Sequence, residues 1–423
     1  MSIDPDTRQF LTDLFDAAVA AADPAEALKD FLPEKPKGRT VVIGAGKGAA
    51  QLAAAFEDLW GTPVEGVVVT RYGYAAACRW LKVIEAAHPV PDAAGESATR
   101  AVLAALDGLT EDDLVVALIT GGGSALLAAP PEGLTLDDEV ALNEALLASG
   151  APISAMNAIR KQVSRVKGGR LAQAALPARM VSLIVSDVPG DDPAEVASGP
   201  TVPSASGRAE ALAAVRTFGI DLPERITAFL GTAPEDAPAP DDPALARNAV
   251  HVIASAARSL DAARALSEAR GVPAVILSDA VEGEAREVAK VHAAIAREVV
   301  LRDRPFARPV VLLSGGETTV TIRQAGGRGG RNTEFLLSLA MVLDGLDGVA
   351  ALAADTDGID GSEDNAGAFA DGDTVAAMRA AGVDPAEALT GHDAWGAFEA
   401  ADLLFVPGPT GTNVNDFRAI WVK

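Results

Sequence analysis

The sequence predicts an α/β protein of two layered α/β domains, the first Rossmann-like, with an active-site cleft between the domains. Three observations predict it. Apolar runs of strand length alternate with helical segments along almost the whole chain, the signature of layered α/β architecture. The first complete strand-to-helix junction carries a glycine turn, as nucleotide-binding sheets do: Thr40-Val41-Val42-Ile43 opens into Gly44-Ala45-Gly46-Lys47-Gly48-Ala49. The chain's 423 residues exceed one ordinary core, and the stretch 231–243 holds four prolines among acids, which suits neither helix nor central strand. Domains are therefore expected at 1–236 and 245–423.

An amphipathic helix near 7–22 comes first. Strands follow at 39–43, 65–70, 82–86, 113–119 and 180–185, with helices at 47–59, 96–107, 135–149, 153–165 and 207–218. Beyond the proline-rich stretch the alternation resumes. Strands near 249–253, 272–277, 309–313, 318–323, 349–354 and 415–421 interleave with helices near 256–270, 283–302 and 332–344. Abundant alanine favours helix at 49–56 and 260–269 by propensity alone. Each half reads as its own α/β unit, and ligands of such sheets sit beyond the carboxyl ends of the strands.

Composition excludes several function classes. With 59 acidic and 35 basic residues the formal charge is −24, which repels nucleic acid and anionic membranes. An anionic substrate then needs a local basic site. The single cysteine, Cys78, forms no internal disulfide and is read as a small buried hydrophobe in a reducing compartment. Four scattered histidines offer no zinc spacing, so any metal is hard and held by oxygen. The acidic N-terminus does not resemble a signal peptide, no apolar stretch reaches membrane-span length, and a cytoplasmic location is expected.

The turn after the first strand is the most informative motif. Glycines admit a ligand close to backbone N–H groups, the helix start attracts anions, and Lys47 adds a full positive charge. Gly44, Gly46 and Ala49 satisfy the dinucleotide pattern, but the next strand ends in Arg71 where a ribose-binding acid belongs. That rejects NAD readout and leaves NADP open. The triphosphate P-loop fails because Gly48 and Ala49 follow the lysine.

Further loops carry matching chemistry. The strand at 113–119 runs into Thr120-Gly121-Gly122-Gly123-Ser124, where bare backbone suits an anion nest. A similar ending, Gly315-Gly316-Glu317, recurs in the second half. Five cations fall between Arg160 and Arg170, and helical spacing sets Lys161 and Arg165 on one face as anion-binding candidates. Asp187 and Asp191 follow a strand directly and are candidates for proton acceptance and for metal binding. Gly-Gly-Arg-Gly-Gly-Arg at 326–331 frees Arg331, followed by Asn332, to meet carboxylate or phosphoryl oxygens with its planar fork. Asp355, Asp357 and Asp360 follow the strand at 349–354; an EF-hand is excluded because its twelfth position is Ala366, and a magnesium or base site stays open.

In this order, with Thr410-Gly411-Thr412-Asn413 near the end, the motifs resemble the glycerate 2-kinase family whose C-terminal part is the MOFRL domain, here about 308–415. Members are often labelled hydroxypyruvate reductase from their place in tartrate degradation. The resemblance covers nearly the whole chain. It implies ATP-dependent phosphorylation of the 2-hydroxyl of D-glycerate, giving 2-phosphoglycerate and ADP, with Mg2+. It also implies that Lys47, Arg331 and Asp357 stand where the family's suspected catalytic residues fall, to which the strand-end carboxylate Asp187 is added. Substrate or nucleotide contacts are then expected from Gly44, Gly46, Gly121, Gly122, Gly123, Ser124, Lys161, Arg165, Gly315, Gly316, Glu317 and Asn332, and metal contacts from Asp191 and Asp360. Thr333 departs from the glutamine common in the family. The partners expected are D-glycerate and ATP, with a homodimer open and neither nucleic acid nor membrane. The alternative is NAD(P)H-dependent hydroxypyruvate reduction, which must account for the missing ribose acid.

Overall fold

The computed structural model describes residues 3–232, 234, 237–322 and 326–423. The chain divides into two compact units, one formed by Pro24–Ile253 and one by the chain up to Asp23 together with Ala254–Lys423.

The first unit is built on a six-stranded sheet. Its strands are β1 (Thr40–Ala45), β2 (Glu65–Arg71), β3 (Lys82–Ala86), β4 (Leu114–Thr120), β5 (Arg179–Val185) and β6 (Ala249–Ala254), in the order β3-β2-β1-β4-β5-β6. The β3-β2, β2-β1, β1-β4 and β4-β5 pairings are all parallel. Parallel strands are covered on both faces and so read as continuous apolar runs; every residue of β4 is buried. This is the doubly wound order, and the chain reverses its direction of winding between β1 and β4. The two glycine loops that follow β1 and β4 therefore emerge side by side at the switch point.

The second unit carries β7 (Ala274–Ser278), β8 (Gly283–Glu284), β9 (Val310–Gly316), β10 (Thr318–Thr319), β11 (Val349–Asp355), β12 (Gly367–Asp371), β13 (Leu404–Phe405) and β14 (Asp416–Val422). Six of them form a mixed sheet in the order β13-β12-β11-β14-β9-β7, and β8 pairs with β10 in a short parallel ribbon. β14 runs antiparallel to both neighbours, with Asp416 opposite Gly316 on one side and Asp355 on the other. Its first residue thus meets the last residues of β9 and β11 at one edge.

Two expectations about domains are corrected. The boundary falls at 253 rather than at 236–245, because the chain returns after the proline-rich stretch to place β6 beside β5; Asn248 Oδ1 accepts the Met180 N–H at 2.9 Å just ahead of it. Residues 233, 235 and 236 of that stretch, the expected boundary residue among them, lie outside the described residues. The N-terminal helix Pro5–Ala21 belongs to the second unit, where Phe10, Leu11, Leu14, Phe15 and Ala18 enter its core at helical spacing. The strand expected at 318–323 reduces to two residues, with 323 outside the described residues. Cys78 is half-buried, and burial together with Glu57 and Asp58 pushes its thiol up to about 11, so it is protonated at neutral pH. Among the described residues no helix is long and apolar enough to cross a membrane.

Candidate active site

At the switch point of the first unit the loops after β1 and β4 are laced together. The Lys47 N–H donates to Gly121 O (2.8 Å), the Gly48 N–H to Thr120 Oγ1 (3.1 Å), and Thr70 Oγ1 to Lys47 O (3.0 Å). The glycines are needed for this approach. Gly46 has φ +139°, and a Cβ there would overlap the Thr120 side chain; a Cβ on Gly44 would stand 2.8 Å from Leu118 O. Gly122 is left-handed at φ +79°. A Cβ on Gly121 would overlap the carboxylate of Asp187, which places that acid directly against the glycine loop. Lys47 is half-buried, and its ammonium forms no ion pair among the described residues of this strongly acidic chain.

Behind the loop lies a polar network. Ser124 Oγ is 2.9 Å from Ser198 Oγ, which donates to Asn157 Oδ1 (2.9 Å), and Asn157 Nδ2 donates to Glu195 Oε2 (2.8 Å). Ala197 and Ser198, both at positive φ (53° and 62°), turn the backbone here, and the Ala197 methyl packs on Gly123.

The cation run is corrected. The helix ends at Gln162, so Lys161 and Arg165 do not share a face. Lys161 is 1% exposed and donates to Glu195 Oε1 (2.7 Å) and Ser204 Oγ (3.1 Å). Lys167 pairs with buried Glu139 (2.8 Å), and Arg170 donates to the carbonyls of Lys161 and Lys167. Arg160 bonds Asn143 and Asn157, and burial lowers its guanidinium to about 10. Only Arg165 of the five is exposed. Lys161 and Lys167 are neutralised by Glu195 and Glu139, and Arg160 and Arg170 are held by amide and carbonyl oxygens, which removes Lys161 from the anion-facing candidates.

In the second unit the edge shared by β9, β11 and β14 gathers three carboxylates around one guanidinium. Arg331, the first residue of the helix Arg331–Val342, donates from Nε to Asp416 Oδ1 (2.6 Å), and through its terminal nitrogens to Asp355 Oδ2 (2.6 Å) and Glu317 Oε1 (2.8 Å). Asp416 is fully buried and also pairs with buried Arg418. Burial, with repulsion from Asp357 and Asp416, outweighs Arg331 and holds the Asp355 carboxyl well above the usual carboxylate range. Asp357 is half-buried: its Oδ1 accepts the Ile359 N–H (2.9 Å), and its Oδ2 accepts from Asn413 Nδ2 (3.3 Å), which brings the 410–413 motif to this corner.

Asp360 is not placed as a metal ligand. Its Oδ1 accepts the Asn332 N–H (2.9 Å) and its Oδ2 the Thr333 N–H and hydroxyl (both 2.8 Å), so it caps the helix that carries Arg331. Burial raises its pKa, partly offset by those donors. Thr333 serves the same cap. Asn332 Nδ2 donates to Asp416 (2.9 Å), while its buried Oδ1 has no partner among the described residues. Gly315 and Gly316 end β9, and Gly316 (φ +113°) lets the chain pass against Val281. Asp191 sits in a short turn at φ 55°, and no group of three or more His, Cys, Asp or Glu is arranged to hold a metal among the described residues.

A doubly wound sheet with an unpaired lysine at its switch point, joined in one chain to a unit that clusters acids on an arginine, defines an α/β enzyme for anionic substrates. Comparison with known proteins narrows this. Residues 10–231 match the model described as a domain of unknown function (DUF4147), and residues 310–416 match the MOFRL family. The chain is 38% identical to a D-glycerate 2-kinase of Thermotoga maritima over 98% of both chains. A crystal structure of a glycerate kinase from that organism superimposes with a TM-score of 0.89 at 36% identity, covering 99% of this chain and all of the other. A protein of Agrobacterium vitis provisionally named hydroxypyruvate reductase is 51% identical over 99% of this chain and 95% of its own. The chain belongs to the glycerate 2-kinase family with a C-terminal MOFRL domain.

Proposed function

We propose that the protein transfers the γ-phosphoryl group of ATP to the 2-hydroxyl of D-glycerate, releasing 2-phosphoglycerate and ADP. The observation that carries the proposal is Lys47: a half-buried cation without an acidic partner among the described residues, beside two glycine loops at the switch point of a chain with net charge −24. Such a charge is available to an anionic ligand, whereas the buried lysines of the same unit are consumed by Glu195 and Glu139. Phosphoryl transfer asks the protein mainly for positioning and for cations on the moving phosphate.

In the proposed step the 2-hydroxyl oxygen bonds to the γ-phosphorus as the bond from that phosphorus to the β,γ-bridging oxygen breaks. Asp187 accepts the hydroxyl proton, and Lys47 and Arg331 offset charge on the phosphoryl oxygens. All three ends of the Arg331 fork are engaged by carboxylates, so a phosphate gains access by exchanging with the exposed one, Glu317. Magnesium bound to nucleotide phosphates needs only one or two protein carboxylates, and Asp357 with Asp355 suits it, because a cation there would offset the burial and the like-charge repulsion that disfavour ionised Asp355. When bound it would supply charge neutralisation for the phosphates. A base and a metal ligand separate by experiment: activity lost in Asp357→Asn is expected to recover partly with raised magnesium or with manganese, and activity lost in Asp187→Asn is not.

The test runs glycerate with ATP beside hydroxypyruvate with NADH or NADPH. ADP formation is expected only when D-glycerate and magnesium are both present. The name carried by the Agrobacterium relative favours the other outcome, and hydroxypyruvate-dependent NAD(P)H oxidation faster than ADP formation would replace the kinase by a reductase.

Two substitutions probe the loop. Lys47→Met is expected to lower kcat by about 10²–10³, the effect of removing one electrostatic stabiliser of a transition state; a fall under about threefold removes Lys47 from the reaction. Gly121→Ala places a methyl on the Asp187 carboxylate, and the resulting shift, on the order of 1 Å, is expected to cost about 10²-fold in kcat/KM. Wild-type kinetics in Gly121→Ala would show that Asp187 works elsewhere or not at all.

A further inference from the structure

We propose that Arg71 and His88 complete, with Lys47, a recess for an anionic oxygen group at the carboxyl end of the first sheet, where the His88 ring hydrogen-bonds the ligand. This rests on the kinase proposal for the identity of the ligand but not for the existence of the recess.

The sheet order brings these residues together. β1, β2 and β3 are parallel neighbours and end at the same edge. Lys47 lies two residues past the end of β1, Arg71 is the last residue of β2 and pairs with Ala86, the last of β3, and His88 follows two residues on. A Cβ on Gly122, in the loop after β4, would stand 2.9 Å from Lys47 Cγ and 3.0 Å from His88 Nε2, so lysine and imidazole flank the same glycine. Arg71 lies with its guanidinium carbon 3.5 Å from the centre of the Tyr74 ring, and its buried Nε has no partner among the described residues. The His88 ring likewise makes no hydrogen bond among them. The acids near this rim are Asp187, on the Gly121 side of the loop, Glu85, which accepts the N–H groups of Gly73 and Ala75, and Asp92, which accepts the Tyr72 hydroxyl.

Two cations and an unengaged imidazole thus converge where glycines leave the backbone bare. Burial, Lys47 and Arg71 push the His88 ring down to about 4, so it is neutral at neutral pH and offers one donor and one acceptor without adding charge. Arg71 is also the residue whose position excluded an NAD ribose acid; stacked on Tyr74, it presents a fixed fork that suits a carboxylate or a phosphoryl group. The ligand group is an anionic oxygen cluster, supplied either by the carboxylate of D-glycerate or by the phosphates of ATP.

Steady-state kinetics of Arg71→Gln and His88→Gln distinguish the two sources. Loss of a charge-assisted hydrogen bond is expected to raise one KM by about tenfold or more in Arg71→Gln, with a smaller change in kcat. A rise confined to glycerate assigns the recess to the carboxylate, and a rise confined to ATP assigns it to phosphate. Changes under about twofold in both KM values in both variants overturn the recess. Independently of turnover, the His88 ring resonance, assigned by its disappearance in His88→Gln, is expected to move when D-glycerate, ATP or inorganic phosphate is added to the wild-type protein, and to move less in Arg71→Gln. If the protein proves not to phosphorylate glycerate, a shift with phosphate or hydroxypyruvate still supports the recess. Absence of a shift with all four overturns it.

Discussion

Arg331→Ala is expected to lower stability by about 3–5 kcal/mol and to abolish turnover. The stability loss follows from what the guanidinium leaves behind: Asp416, fully buried, and Asp355, nearly so, remain close together with one fewer cation, and an uncompensated buried charge is worth that much. Partial protonation of Asp355, whose carboxyl is already well above its usual range, sets the lower end. Urea unfolding measures the first effect. Arg331→Lys separates the second from it, because lysine keeps the charge but cannot meet Asp416, Asp355 and Glu317 from three nitrogens of one plane. Its kcat is expected to fall much further than its KM for glycerate rises. Near-wild-type kcat in a folded Arg331→Lys protein would remove Arg331 from the reaction and leave it a structural clasp.

Lys161→Met is expected to destabilise the first unit by about 3 kcal/mol, since methionine fills the volume but leaves Glu195 short of its cation. Glu195 is partly exposed, which holds the effect at the low end for a buried pair. Adding Glu195→Gln to Lys161→Met is expected to recover part of the loss, because the amide removes the stranded charge and keeps an acceptor for Asn157. A single-variant loss under about 1 kcal/mol would restore Lys161 to the candidates for ligand binding, since that is the range of exposed ion pairs.

These two residues mark what was legible in the sequence. Strands buried on both faces, such as Leu114–Thr120, declare themselves as apolar runs, and the glycine loops that follow them are visible because a backbone approach permits no side chain. β12 and β13 are not visible: Gly367–Asp371 is short and alanine-rich, and Leu404–Phe405 has two residues. The N-terminal helix looks amphipathic from its spacing, but nothing local says that its apolar face meets strands almost 400 residues later, where Phe15 packs edge-on against Phe405. The return of β6 to the first sheet is equally non-local.

The same division runs through the site. Lys47 and Arg331 stand among glycines, a local signal. Lys161 looks like them, yet its partner Glu195 lies 34 residues away and its burial depends on tertiary packing. Asp360 reads as a metal ligand from its place in an acidic loop, and only the helix starting at Arg331, 29 residues earlier in the chain, reveals that it is a cap. Arg71 and His88 escape notice as a pair because their proximity is a property of strand order. Two residues could have been read at least as candidates: Arg71 ends a strand, and His88 is one of four histidines in the chain.

The central claim is that phosphate is placed on carbon 2 of D-glycerate, and the phosphorus NMR spectrum of the product tests it most directly. With D-glycerate, ATP and magnesium, the expected product shows a phosphate ester split by a single carbon-bound proton, as 2-phosphoglycerate requires. A phosphate split by two methylene protons, marking carbon 3, or no new phosphate ester while hydroxypyruvate consumes NADH or NADPH, would contradict it.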